Sequence, residues 1–181
     1  MRTKLLIAGL VLIWICANAT QAVAQSGTVG WVGVAGACEL DSGSAGHKTV
    51  FGTVSFSGTS SGNIKLNCWI DGITRMNPSD VNAWGLIFKN DNGFVGGTNL
   101  CTVTGQFVSV PNNKSVPSTV IGSFSTAGHS YSGWTTADPL PLSQFLNMDS
   151  NTYGVSITLH RNTNATCNPQ VWVTFAENII F

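Results

Sequence analysis

Asn63-Ile64-Lys65-Leu66-Asn67-Cys68-Trp69-Ile70 alternates polar and apolar side chains up to Trp69, so Ile64, Leu66, Cys68 and Ile70 face one way. Side chains of a strand point to alternate faces, and the octet therefore reads as a half-buried β-strand with a cysteine on its core face. Such a face needs a covering layer. The segments around it supply that layer as short alternating stretches rather than as helices.

Working outward, Val50 to Ser57 alternates through Val50, Gly52, Val54 and Phe56, and Gly58-Thr59-Ser60-Ser61-Gly62 reads as a hairpin turn into the central strand. Thr28 to Ala37 reads as a first strand leading into Cys38, and Glu39 to Lys48, rich in Asp, Ser, Gly and Ala, as a surface loop. Beyond the octet, 71–82 is a long connection, and Ala83 to Lys89 is a strand that ends at the turn Asn90-Asp91-Asn92-Gly93. Phe94-Val95 starts a return strand that Gly96-Gly97 breaks. Leu100 to Val110, Thr119 to Ser125, Tyr131 to Thr135, Tyr153 to Arg161 and Val171 to Phe175 are further strands. Pro139 to Met148, with Leu140, Leu142, Phe145 and Leu146, reads as a short helix limited by Pro139 and Pro141. Many short strands at close spacing predict an all-β fold, a two-sheet antiparallel sandwich of jelly-roll or immunoglobulin-like kind with two disulfides.

The N-terminus carries Arg2 and Lys4, an apolar run from Leu5 to Ala17, and the small residues Ala22-Val23-Ala24. The run is too short to cross a bilayer, so residues 1–24 read as a signal peptide cleaved between Ala24 and Gln25. Removing them leaves 157 of the 181 residues, the size of one β-sandwich domain over 25–181. No later segment is long and apolar enough for a transmembrane helix, and the cleaved signal peptide leads to the expectation that the mature chain is periplasmic or secreted.

Six basic residues (Lys48, Lys65, Arg75, Lys89, Lys114 and Arg161) then stand against eight acidic ones, a formal charge near −2. Six dispersed cations do not make the basic stripe that nucleic acid requires, and no basic cluster adjoins an apolar face to bind a membrane surface. Four cysteines remain: Cys38, Cys68, Cys101 and Cys167. An even number in an exported chain predicts two disulfides. Four cysteines allow three pairings and spacing does not choose among them; Cys38–Cys68 with Cys101–Cys167 is the favoured one. Loop-closure entropy gives those bridges at most about 3.6 and about 4.4 kcal/mol. Zinc is not expected, because the chain has no C-x-x-C pair and no histidine near a cysteine.

Motifs of chemistry are sparse. Gly58 to Gly62 matches G-x-S-x-G, but a nucleophile elbow lies between a strand and a helix, whereas this string lies between two strands. His47, His129 and His160 are the histidines of the chain, and a hydrolase would need one beside a serine or carboxylate. Asp71, Asp80, Asp91, Asp138 and Asp149 all fall in turn-like segments, where aspartate caps backbone N–H groups. Asp91-Asn92-Gly93 and Asp149-Ser150-Asn151 lack the twelve-residue calcium loop. No metal or other cofactor is expected. Asn113-Lys114-Ser115 and Asn164-Ala165-Thr166 are sequons, which matter in a eukaryotic source.

The tryptophans point furthest towards function. Trp31, Trp69, Trp84, Trp134 and Trp172 lie in the mature chain, and Trp69 takes a polar-side position on the central strand. An exposed indole on a sheet stacks on a sugar ring or anchors a protein, because its flat face gains much contact at small entropic cost.

The strings Gly36-Ala37-Cys38-Glu39-Leu40, Leu66-Asn67-Cys68-Trp69-Ile70 and Leu100-Cys101-Thr102-Val103, with a late cysteine, resemble small exported bacterial proteins of uncharacterised function with a similar rhythm of cysteines on strands. The resemblance implies a disulfide-bonded β-sandwich and no activity; Trp69 stands where those proteins usually have proline. The sandwich pattern and apolar last strand also resemble pilin-like and spore-coat-like subunits, and the terminal Phe181 resembles the last strand of outer-membrane barrels, whose strands are longer. The expectation is a non-enzymatic exported protein that binds carbohydrate or protein at the cell exterior, with Trp69 and Trp134 as contacts. Alternatives are a hydrolase on the same scaffold, using one of the histidines, and a pilus or coat subunit that donates or accepts a strand through 171–181.

Overall fold

The structure, a computed structural model, describes residues 28–70, 77–113 and 115–179. The expected signal peptide with its expected cleavage site, and residues 71–76 of the long connection, lie outside the described residues. Among the described residues thirteen strands follow in order: β1 (Thr28–Val34), β2 (Glu39–Leu40), β3 (His47–Val50), β4 (Thr53–Phe56), β5 (Gly62–Trp69), β6 (Ala83–Lys89), β7 (Phe94–Val95), β8 (Thr98–Asn99), β9 (Cys101–Pro111), β10 (Thr119–Ser125), β11 (Trp134–Pro141), β12 (Asn151–Arg161) and β13 (Gln170–Asn178). They form an antiparallel sandwich. One sheet has the order β11-β6-β13-β4-β3, with β1 also paired to β13, and the other the order β10-β9-β12-β5-β2.

The octet that opened the analysis is β5 with Ile70. Ile64, Leu66, Cys68 and Ile70 are buried while Asn63, Lys65 and Trp69 are exposed, as alternation requires. From the neighbouring β12, Tyr153, Val155, Ile157 and Leu159 point into the same core. The facing sheet contributes Trp84, Leu86 and Phe88 from β6. Trp84 meets Phe107 edge-on at 6.0 Å, and Phe88 lies 5.1 Å from Phe124 and 5.0 Å from Tyr131. Trp84 approaches so closely because β9 carries Gly105, where a Cβ would come within 2.8 Å of the indole. This interlocking of aromatic rings joins the two sheets.

The disulfides are Cys38–Cys68 and Cys101–Cys167, the favoured pairing, with Cα separations of 4.6 and 6.2 Å. Each ties a strand of the five-stranded sheet to a segment that adjoins the other: Cys38 follows β1, and Cys167 precedes β13. Disulfides of this kind belong to an oxidising environment outside the cytoplasm. None of the helices among the described residues is long and apolar enough to cross a membrane.

Several local expectations change. Glu39 to Lys48 is not wholly a loop: Glu39 and Leu40 pair with β5, and His47 and Lys48 with β4. Val50 to Ser57 is not one strand, because Val50 pairs with Thr53 and the chain reverses at Phe51-Gly52, both at positive φ, +48° and +78°. Left-handed backbone costs a side chain as bulky as phenylalanine about 1–2 kcal/mol, so local propensity gives no hint of a turn there. Gly58 to Gly62 is no hairpin either, since β4 and β5 belong to different sheets and the turn crosses the edge of the sandwich. Gly96-Gly97 ends β7 as expected, and it also turns the chain straight into β8 to close a small hairpin.

The expected helix within Pro139 to Met148 is absent, and the strand read at Tyr131 to Thr135 starts at Trp134 and runs on to Pro141 as β11. This is an edge strand, with a register shift between Ala137 and Leu140 and a cis Asp138–Pro139 bond. Edge positions and bulges accept proline, which has no N–H to give to a ladder. Finally, β13 is hydrogen-bonded on both sides, to β6 along one edge and to β4 and β1 along the other. Its described residues leave no free edge to donate to another subunit.

Candidate binding site

The outward face of the five-stranded sheet carries a patterned set of side chains. Antiparallel register aligns residues across strands into rows. One row is Glu39, Asn67, Ser156, Gln106 and Ser123, running from β2 through β5, β12 and β9 to β10. The next is Trp69, Gly154, Val108 and Val120, and on the other side lies Lys65, Thr158, Thr104 and Ser125. Amide and hydroxyl groups thus form a ladder beside a row that is apolar and headed by an indole.

Trp69 is 46% exposed. Its six-membered ring lies over Gly154 of β12, where a Cβ would come within 2.9 Å of the ring. Glycine at this point lets the indole settle against the sheet rather than stand away from it. On one side of Trp69 a groove of about 290 Å³ runs over Asn67, Gln106, Ser156, Val108 and Val120. On the other a hollow of about 460 Å³ lies between β1 and β5, walled by Trp31 and Trp69, with Glu39, Asn67 and the Cys38–Cys68 bridge in its lining. Trp69 and Asn67 border both spaces, so a chain-like ligand could run from one to the other past the indole. Ring stacking there would supply apolar contact, and the amides and hydroxyls would supply donors and acceptors in both directions.

Trp134, the other indole singled out from sequence, lies on β11 in the opposite sheet and is 48% exposed. It does not join Trp69. Its neighbour is Trp172 of β13, with ring centroids 6.4 Å apart at 63°. Trp31 of β1 was not singled out, and neither were Asn67, Gln106 and Ser156. Their common face depends on which strands are neighbours, and no local pattern states that.

The remaining candidates fall into ordinary structural settings. His160 hydrogen-bonds through Nδ1 to Asn63 and through Nε2 to Asn162, both at 2.8 Å, so two asparagine side chains hold its ring. His47 Nδ1 is 3.3 Å from the Ala45 carbonyl, and His129 lies 6.4 Å from the Tyr131 ring. Asp91 forms an ion pair with Lys89 at 3.0 Å and accepts the Gly133 N–H at 2.6 Å. Asp149 donates its backbone N–H to Asn147 Oδ1. In the G-x-S-x-G string the carbonyls of Gly58 and Ser60 accept from Arg161, which also donates to the Ala165 carbonyl. The string is a turn pinned by a buried guanidinium. The sequon residues Asn113 and Asn164 are both exposed.

One carboxyl is perturbed. Glu177 of β13 is 5% exposed, and burial, followed by a hydrogen bond and charge repulsion from Asp138 of β11, pushes its pKa up to about 8. Both point outward from the six-stranded sheet and meet above β6, whose outward residues at that level are Ala83 and Gly85. The pair is far from the groove beside Trp69, on the other sheet.

No family model matches the chain, and no curated protein matches it. Among solved structures, one match is described as "Structural basis for the promiscuous specificity of the carbohydrate-binding modules from the beta-sandwich super family". The identity is 12% and the TM-score 0.33, and the match covers 87% of this chain and 56% of the other. This chain thus spans just over half the length of that one, and a likeness so distant carries no argument about a ligand.

Proposed function

We propose that the protein is a non-catalytic, exported binding module that holds an oligosaccharide across the outward face of its five-stranded sheet. The observation that carries this reading is the placement of Trp69: a half-exposed indole bedded on Gly154, bordering two hollows and flanked by the Asn67, Ser156 and Gln106 ladder. Sugars offer apolar ring faces and a rim of hydroxyls, and a platform of one indole beside amides and hydroxyls matches both. The low charge of the chain suits a neutral ligand. A binding rather than catalytic role is supported by the histidines, whose described neighbours are asparagines, a backbone carbonyl and a tyrosine ring.

The test is affinity electrophoresis and titration calorimetry of the mature protein against a panel of soluble neutral and acidic polysaccharides. At least one glycan should bind, and Trp69→Ala should weaken it by about tenfold or more, the effect of losing about 1.4 kcal/mol of stacking. Binding that survives Trp69→Ala unchanged, or a protein that binds no glycan in the panel, would refute the proposal.

A further inference from the structure

The turn between β3 and β4 sets Phe51 at φ +48° and leaves its side chain 97% exposed. Two-residue turns with positive φ at both positions favour Asn-Gly, and a bulky residue at the first is conformationally disfavoured. An exposed phenyl adds unfavourable hydration, and no contact within the folded chain offsets either cost. A residue that breaks the local rule without a compensating contact inside the chain points to a contact outside it.

Phe51 stands at the margin of a continuous apolar surface. Gly52 packs against Val34 and Trp172, and Trp172 against Trp134. Val50 is 50%, Val34 40%, Val32 56%, Trp172 45% and Trp134 48% exposed; register turns the valines and Trp134 to the outward side of the six-stranded sheet, and Trp172, at a register shift of β13, meets Trp134 there. The three aromatic rings present roughly 400 Å². With the valines the patch is on the order of 600 Å², the upper end of what a monomer leaves open. A polar rim brings it close to the roughly 800 Å² that each partner contributes to a stable interface.

We infer that this face docks a second copy of the same chain about a two-fold axis, with Phe51 of each copy entering the angle between Trp134 and Trp172 of the other. The patch carries both a protruding ring and a pair of indoles inclined at 63°, so one surface holds both halves of a self-complementary contact, as a two-fold interface requires. Lys89, next to Trp134 in register, is paired with Asp91, while Lys48, on the same side of β3 as Val50, and the Asp138 and Glu177 carboxyls farther along this face give a two-fold contact charges of both signs at its rim. A lipid surface would instead call for a cluster of basic residues, and the described lysines on this face are Lys48 and the Lys89 already paired with Asp91. Pro139 and Pro141 disfavour association through the β11 edge, the edge nearest the two indoles. Val32 and Val34 also line the hollow between β1 and β5, but Phe51, Trp134 and Trp172 line neither space beside Trp69, so Phe51→Asn and Trp69→Ala test the two proposals separately.

The test is sedimentation velocity of the mature protein from low micromolar to a few hundred micromolar. The native protein should pass from monomer to dimer over that range. Phe51→Asn puts an Asn-Gly pair at the turn, so it should fold with an equal or higher Tm and associate at least about tenfold more weakly. Trp69→Ala should dimerise like the native protein. A native protein that stays monomeric at the highest concentration would overturn the inference, as would a Phe51→Asn variant that associates equally well. Phe51-dependent pelleting of monomer with vesicles of phosphatidylcholine and phosphatidylglycerol would overturn it in favour of a lipid surface.

Discussion

Replacing Glu177 with glutamine should remove a pH dependence of stability that the fold itself creates. Glu177 ordinarily titrates at 4.5, but in the folded protein burial and the Asp138 carboxyl raise it to about 8. Below pH 4.5 both folded and unfolded chains hold the proton, and its contribution to stability is fully present. Between 4.5 and about 8 the unfolded chain has released the proton while the folded chain keeps it, so stability falls by at most about 1.4 kcal/mol per pH unit. Above about 8 the contribution is gone. Over the whole window this is at most about 5 kcal/mol, and Asp138 is exposed, so solvent screening brings the expected loss nearer half of that.

Glutamine resembles the protonated acid and does not titrate. In urea unfolding at pH 5, 6, 7 and 8, the variant should match the native protein at pH 5 and exceed it by a few kcal/mol at pH 8. Titration of the histidines and other groups is common to both proteins and cancels in the difference. Asp138→Asn should reduce the slope without abolishing it, because burial is the largest cause of the shift. A difference between native and Glu177→Gln proteins that stays constant from pH 5 to 8 would refute this account.

Two further outcomes follow from the packing. Gly154→Ala pushes a methyl against the ring of Trp69, with 2.9 Å available, and should weaken glycan binding several-fold while changing stability by no more than about 1 kcal/mol; unchanged affinity in calorimetry would show that the seat of the indole is immaterial. Arg161→Met leaves the carbonyls of Gly58 and Ala165 without their charged donor and should cost about 2–4 kcal/mol in urea unfolding. A loss under about 0.5 kcal/mol would mean that water replaces the guanidinium.

Much of the sandwich was legible because burial on one face of a strand leaves a period of two in the sequence. β6 and β10 begin and end where the alternation and flanking breakers place them, and β5, β9 and β12 differ by a residue or two. The misreadings have a common cause in long-range pairing. β11 looks helical because Leu140, Leu142 and Leu146 pack to the core from a bulged edge strand and the loop after it, and the apolar spacing resembles a helical face. Phe51 was missed as a turn residue because its positive φ contradicts its own preference, and the pairing of β3 with β4 imposes it.

The candidate sites divide in the same way. The sequence by itself determined the strand character and the alternation that turns Trp69 outward from β5, because each depends on a residue and its near neighbours. Only the tertiary structure decided which cysteines meet, that Trp69 lies over Gly154 beside Asn67, Ser156 and Gln106, and that Trp134 meets Trp172 on the opposite sheet. Those contacts join residues separated by tens of positions. Their partners are selected by strand order and register, which are set by how both sheets bury their apolar faces together and leave no mark on any one segment.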